Sequence, residues 1–404
     1  MPDSRYIHAG RLIDGSGGPV RKNVLLTIVD GLIAAIKGFA TSAAPPSDQI
    51  TDLSHGTILP PLIDCHMHLA LSATDDQRAR AEQLEAGYAG AHDCITRNLH
   101  SHFIHGVLAV RDAGDRHGHV LRFRNEHAGT DREPVIVKAS GNAWHKQGRY
   151  GSMLGKHPGE NESLAETVAR ETAPGDFIKI IHSGPNSLNE FGKETLPQFD
   201  RNELYEMVRM AEQQGKKVMV HANGELPVRQ ALEAGCHSIE HGFFMGRDNL
   251  ARMAEKQIIW VPTAYAMKIC AEKSGKVDIA VKKEVAEKTL RHQLEQIALA
   301  KAAGVTIALG TDAGSRGVLH GESVVEEIKL LIQGGYSLTE AIQCASYNGA
   351  KLLGIENEMG LIAKGKPANF LVVRGTPAQL PQKVSHLEAI YLYGSPCRKS
   401  SRIS

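Results

Sequence analysis

Residues 59–68 read Leu59-Pro60-Pro61-Leu62-Ile63-Asp64-Cys65-His66-Met67-His68, an apolar run closing on two histidines spaced by one. In an extended strand successive side chains alternate between faces, so His66 and His68 project to the same side and can converge on one ion. Working outward from this run, short apolar stretches recur at 107–111, 135–139, 176–181, 217–220, 238–240, 258–261 and 306–309, which with 57–64 makes eight. Longer amphipathic segments fall between most of them, among them 80–98, 201–214 and 284–303, and a helical pair over 322–353 follows the last. Short strands alternating with helices are the pattern of βα units and a parallel sheet. Eight such units predict an α/β fold, a (β/α)8 TIM barrel, over residues 57–364.

The flanks read differently. Apolar strands are expected at 6–12, 24–29 and 32–36, the last two joined across Asp30-Gly31, a hairpin dipeptide. Two more are expected at 369–373 and 389–393, separated by Gly375-Thr376-Pro377. The two β ends, 1–56 and 365–404, are predicted to meet as one small domain.

Composition narrows the functional class. The 404 residues are 42% hydrophobic and 23% charged, with 46 basic against 45 acidic side chains and a net charge of +1. That balance suits a soluble globular protein and argues against a general binder of nucleic acid or anionic membrane, which would gather a basic excess. A small-molecule substrate is the expected partner, and nothing in the composition bears on homo-oligomerisation. The six cysteines are scattered without a CxxC pair, and no targeting or spanning stretch is expected, which together point to a cytoplasmic protein with reduced thiols. The 20 histidines are the excess that calls for an explanation.

In a barrel of this type the active site lies at the C-terminal ends of the strands. Ligand-type residues stand there: His66 and His68 on the first strand, Lys179 on the fourth, His221 after the fifth, His241 after the sixth and Asp312 after the eighth. Any one of these histidines alone would read as a hydrogen-bonded core residue, and Asp312 in Gly310-Thr311-Asp312-Ala313-Gly314 as a helix cap. Their ordering at successive strand ends is what points to a metal centre. Lys179 lies within an apolar run, and burial of an ammonium lowers its pKa toward the neutral amine. A neutral amine can take up carbon dioxide, and the carbamate has two oxygens with which to bridge two divalent ions. A lysine that snorkels to the barrel mouth would leave a one-ion site.

His66-x-His68, Lys179, His221, His241 and Asp312 resemble, in order and spacing, the metal-site pattern of the amidohydrolase superfamily. Within it, Val110-Arg111-Asp112-Ala113-Gly114, Asp176-Phe177-Ile178-Lys179-Ile180 and His221-Ala222-Asn223-Gly224 are most similar to the prolidase-like and imidazolonepropionase-related branch. The resemblance implies a small β-sandwich formed by the flanks. It also implies two divalent ions, zinc foremost, the first held by His66, His68 and Asp312 and the second by His221 and His241, with carboxylated Lys179 as the bridge. Hydroxide shared by two cations is nucleophilic at neutral pH. Asp312 would then pass its proton to the leaving amine. The implied reaction is hydrolysis of an amide C–N bond in a dipeptide or N-acyl amino acid. The same resemblance gives His145 an oxyanion-stabilising role and likens Tyr265 to a substrate-contacting tyrosine, while the donor-rich loop after the third strand offers Arg149, a partner for a substrate carboxylate, and Tyr150, neither following a family pattern. Pro61 departs from the family's usual Gly, and Lys366-Pro367-Ala368-Asn369 from its usual tail motif, neither touching the metal set.

Other readings stay open at this level. The same centre could open a lactone, a carbamate or a cyclic amide, since activated water does not choose the leaving group. A one-ion deaminase would place a glutamate soon after the strand-five histidine, and Glu225 stands four residues after His221. A non-catalytic scaffold relative would have lost ligands that this chain keeps.

Overall fold

Proline has no N–H to give to a ladder, and Pro60-Pro61 divides the 57–64 run, expected as one strand, into the end of one sheet and the start of another. The computed structural model describes residues 3–41, 49–128, 134–171, 175–274, 281–380 and 387–397. Strands β1 (Ser4–Leu12), β2 (Arg21–Val29), β3 (Leu32–Gly38) and β4 (Ile50–Leu59) precede the prolines. The β2–β3 turn is the expected one: Asp30 and Gly31 both take positive φ, 50° and 78°, the geometry that matches strand twist in a tight hairpin.

After the prolines come β5 (Leu62–Met67), β6 (Val107–Asp112) and β7 (Ile136–Ala139), a parallel three-stranded sheet. A six-stranded parallel sheet follows from β8 (Ala143–Trp144), β9 (Gly155–Lys156), β10 (Ile178–Ile181), β11 (Val218–Ala222), β12 (Ser238–His241) and β13 (Ile259–Val261), in the order β13-β12-β11-β10-β8-β9. Every residue of β5, β6, β10, β11 and β12 is buried, as strands covered on both faces require. Backbone bonds link the two sheets at either side. Asp176 N–H donates to Ala139 O at 2.8 Å beside β7, while the 306–309 run lies between β13 and β5, with Ala308 N–H on Trp260 O (3.0 Å) and Cys65 N–H on Leu309 O (2.8 Å).

Strands β14 (Phe370–Arg374), β15 (Leu387–Leu392) and β16 (Ser395–Cys397) return to the N-terminal strands in the order β16-β15-β14-β4-β1-β2-β3. Hydrogen bonds join all seven into one continuous sheet, which is the form the expected sandwich takes here. Ile7, Leu26, Phe370 and Val372 are in its own apolar core.

Helices cover the parallel strands, with two departures from expectation. The 80–98 segment is two helices, Gln77–Leu84 and Tyr88–Ile104, parted at Gly87, the N-cap of the second. The 322–353 pair is three, Glu322–Gln333, Leu338–Cys344 and Tyr347–Leu353, because Gly334 closes the first and a Ser337/Glu340 capping box opens the second. Among the described residues no helix is long and apolar enough to cross a membrane.

Candidate metal centre

At the end of β5 the strand pleat does what the HxH spacing predicts. His66 places Nδ1 2.7 Å from Glu240 Oε2, and His68 places Nδ1 2.9 Å from Gly114 O. Those acceptors fix the proton on Nδ1 and leave each Nε2 lone pair free. Both Nε2 atoms face Asp312 Oδ1, at 3.6 and 3.5 Å. The three residues each offer one ligand atom within 4.8 Å of the others, a group able to hold a metal ion. Asp312 is brought there by a tie between strands: Thr311 donates its N–H to Asp64 Oδ1 (3.0 Å) and its hydroxyl to Asp64 Oδ2 (2.5 Å).

The other three expected ligands open onto the same cavity, which is about 270 Å³ and lined by all six. His241 stands between His66 and His221, its ring centroid 4.8 and 4.5 Å from theirs, with Nδ1 2.7 Å from Thr263 Oγ1. His221 Nε2 lies 3.3 Å from Gly184 O. Lys179 is 1% exposed, and among the described residues its Nζ has no hydrogen-bond partner. Three residues at the centre hold left-handed backbone, His241 (φ 65°), Asp312 (59°) and Thr263 (47°). Non-glycine residues take that conformation at a cost of order 1–3 kcal/mol, and such residues cluster at functional sites.

Electrostatics prepare the donors. Burial, reinforced by the Lys179 charge, brings His221 down to about 4 and His66 well below its usual value. Burial and then the neighbouring His221 do the same to His241. Neutral imidazole is the ligating form. Burial would raise the Asp312 carboxyl, yet its contacts with His68 and His66 prevail and hold it down to about 2. For His68 burial acts downward, and the same Asp312 contact turns the balance upward. Lys179 is pushed down to about 8, chiefly by burial, against the upward pull of Glu240.

The residues expected to contact substrate are dispersed. Tyr150 lines the cavity, its ring centroid 5.6 Å from that of His221, its phenol pushed up to about 12 by burial. His145 is buried but is not among the lining residues; its Nδ1 is 2.9 Å from Lys146 O and its ring faces His157. Arg149 lies off the cavity and donates Nη2 to Leu196 O at 3.0 Å. Tyr265 also lies off it, its backbone N–H held by Glu327 Oε2 at 2.7 Å and its ring 5.6 Å from Lys268 Nζ. Two sets of residues were not singled out from sequence. Glu240 accepts from His66, from Ser238 Oγ at 2.6 Å and from Arg111 Nη1 at 3.4 Å, and so orients a ligand from behind. Arg80 and Arg316 line the cavity itself.

Residues 57–392 match the amidohydrolase family. The chain belongs to that family. Ochratoxinase from Aspergillus niger is 25% identical, over 94% of this chain and 84% of its own length. Imidazolonepropionase from Rhizorhabdus wittichii is 23% identical, over 87% and 89%. Among solved structures, a Xaa-Pro dipeptidase with methionine bound in its active site superposes with a TM-score of 0.83 at 27% identity, covering 98% of this chain and all of that one. Family membership makes this chain a hydrolase of C–N bonds, with a His-His-Asp group suited to a metal ion.

Proposed function

We propose that this amidohydrolase is a (β/α)8 barrel over residues 57–364, with the terminal segments as its small domain, and that it cleaves the amide bond of a dipeptide or N-acyl amino acid at a two-ion centre. The observation that carries the proposal is the convergence of His66, His68, Lys179, His221, His241 and Asp312 on one cavity. His66, His68 and Asp312 would hold one divalent ion, zinc foremost, and His221 and His241 the other, with Lys179 between them. The Lys179 amine suits a bridging carbamate because it is buried without a partner. Near pH 7.5 an amine with pKa about 8 is roughly one-quarter neutral, against roughly 0.1% at the ordinary 10.5. The neutral nitrogen adds to the carbon of carbon dioxide and loses a proton, and the product is a carbamate with two oxygens.

When bound, the ions would supply an activated water and polarise the scissile carbonyl. Asp312, held ionised, accepts the water's proton and delivers it to the nitrogen as the C–N bond breaks. Ser315 Oγ donates to Asp312 Oδ2 at 3.0 Å and keeps Oδ1 aimed at the histidines. Glu225, which a deaminase would need here, is not among the cavity's lining residues. The amino acid in the Xaa-Pro dipeptidase site adds support for a product of that class. Loaded with zinc or manganese and offered pooled dipeptides and N-acyl amino acids, the protein is expected to bind two ions per chain and release one class of free amino acid, read by mass spectrometry. A two-ion protein that releases none would overturn the amide reading in favour of lactones, carbamates or cyclic amides.

A further inference from the structure

Two guanidinium groups stand in the cavity without a carboxylate of their own. Arg80 projects from Gln77–Leu84, a helix with no buried residue, so core packing does not explain its position. Its Nη1 donates to Gly314 O at 2.9 Å, two residues from Asp312. Arg316 is on the turn that follows, a segment pinned on both sides: Gly314 N–H bonds Val318 O (3.0 Å), Ser315 N–H bonds Asp312 O (3.1 Å) and Gly317 N–H bonds Ala73 O (2.8 Å). Among the described residues neither arginine forms an ion pair, whereas Arg78, Arg116, Arg122, Arg124 and Arg170 all do. Burial and then the charge of Arg316 depress the Arg80 guanidinium, and the acid acting on it is Asp312, which already belongs to the ligand set.

Two like charges that act on each other in one cavity are unfavourable until an anion joins them. Guanidinium forks match a carboxylate in plane and spacing. The lining also includes apolar side chains from other elements, Leu188, Phe243 and Met267. We propose that Arg80 and Arg316 form the subsite for the free α-carboxylate of the substrate, and that the wall around Phe243 and Met267 takes an apolar side chain. The substrate class is then N-acyl or N-aminoacyl derivatives of apolar amino acids with an unblocked C-terminus. This rests on the amide-hydrolase reading, and it gives the carboxylate to these two residues rather than to Arg149, which does not line the cavity.

The test compares the zinc-loaded wild type with Arg316→Gln and Arg80→Gln. Among the described residues the Arg316 side chain makes no hydrogen bond that its loss would break, and an unchanged melting midpoint for Arg316→Gln shows that folding is intact. Acetate release is measured from N-acetylphenylalanine and from its C-terminal amide, and binding of 3-phenylpropanoate and 3-phenylpropanamide by calorimetry. Wild type is expected to favour the acid over the amide in both assays, and each substitution to weaken the acid roughly 10- to 100-fold, the range for a charged hydrogen bond. Acid preference that survives both substitutions would sink the carboxylate subsite and leave the hydrolase reading standing. Arginine-dependent binding of 3-phenylpropanoate with no acetate released would sustain the subsite and sink the proposal that N-acyl amino acids are hydrolysed. No preference for acid in the wild type would also refute the subsite.

Discussion

Lys179 is the costliest residue of the centre, and its cost can be measured. Burial lowers its folded-state pKa from 10.5 to about 8, so between those values the unfolded chain binds a proton that the folded chain does not. Stability therefore rises with pH across that window, and below about pH 8 the full penalty remains, roughly 3 kcal/mol at 1.4 kcal/mol per unit. Lys179→Met, which keeps the volume and removes the charge, is expected to make the metal-free protein more stable by about that amount at pH 7 and to flatten its pH dependence from 8 to 10.5. Urea melts at several pH values check this, and equal slopes for both proteins would contradict it. The four histidines of the candidate centre were legible because each stands at or just beyond the end of a strand. Glu240 was not, because strand alternation predicts that it and His241 face opposite ways, and only the left-handed backbone at His241 lets both reach the centre. Arg80 and Arg316 lie on a helix and a turn, away from the strand ends at which a barrel's site residues are sought.

At the level of elements, the site depends on how closely the last parallel segment approaches the first. A Cβ on Gly310 would lie 2.4 Å from Val261 Cγ1, 2.8 Å from His66 Cβ and 2.9 Å from His66 N, so β5 or its neighbour would have to move. Gly310→Ala is expected to destabilise by about 1–3 kcal/mol, the range for overpacking, and to reduce the zinc held per chain, because the displaced residue is itself a proposed ligand. Gly87→Ala, where a Cβ meets nothing within 4 Å, is the control. Urea midpoints and metal content read the two effects, and full zinc occupancy in Gly310→Ala would show that the approach is not what positions His66. The order of elements was legible because each apolar run is short and most are followed by an amphipathic segment. Boundaries were less so: Pro60-Pro61 moves the chain between sheets inside one apolar run, and the 306–309 run takes its place through bonds to Trp260 and Cys65 rather than through a recognisable strand of its own.

Across the whole molecule, the six candidate ligands in the cavity run from residue 66 to residue 312 and come from β5 and its end, β10, β11, β12 and the segment after 306–309. A cation bound there contacts elements that are far apart in sequence and meet only in the folded state. Such a ligand stabilises by mass action, about 4 kcal/mol per ion at a free concentration 1,000 times its dissociation constant. For a chain of 404 residues, an unfolding entropy of about 2.1 cal/mol/K per residue converts this to roughly 5 °C per ion. Chelation is thus expected to lower the melting midpoint, and stepwise return of zinc to restore it in two stages if the centre holds two ions, the second lost in Lys179→Met. The order of loss carries the argument. His66, His68 and Asp312 meet within 4.8 Å without help from Lys179, so one stage should survive that substitution, and loss of both would show that the lysine organises the whole centre rather than bridging its halves.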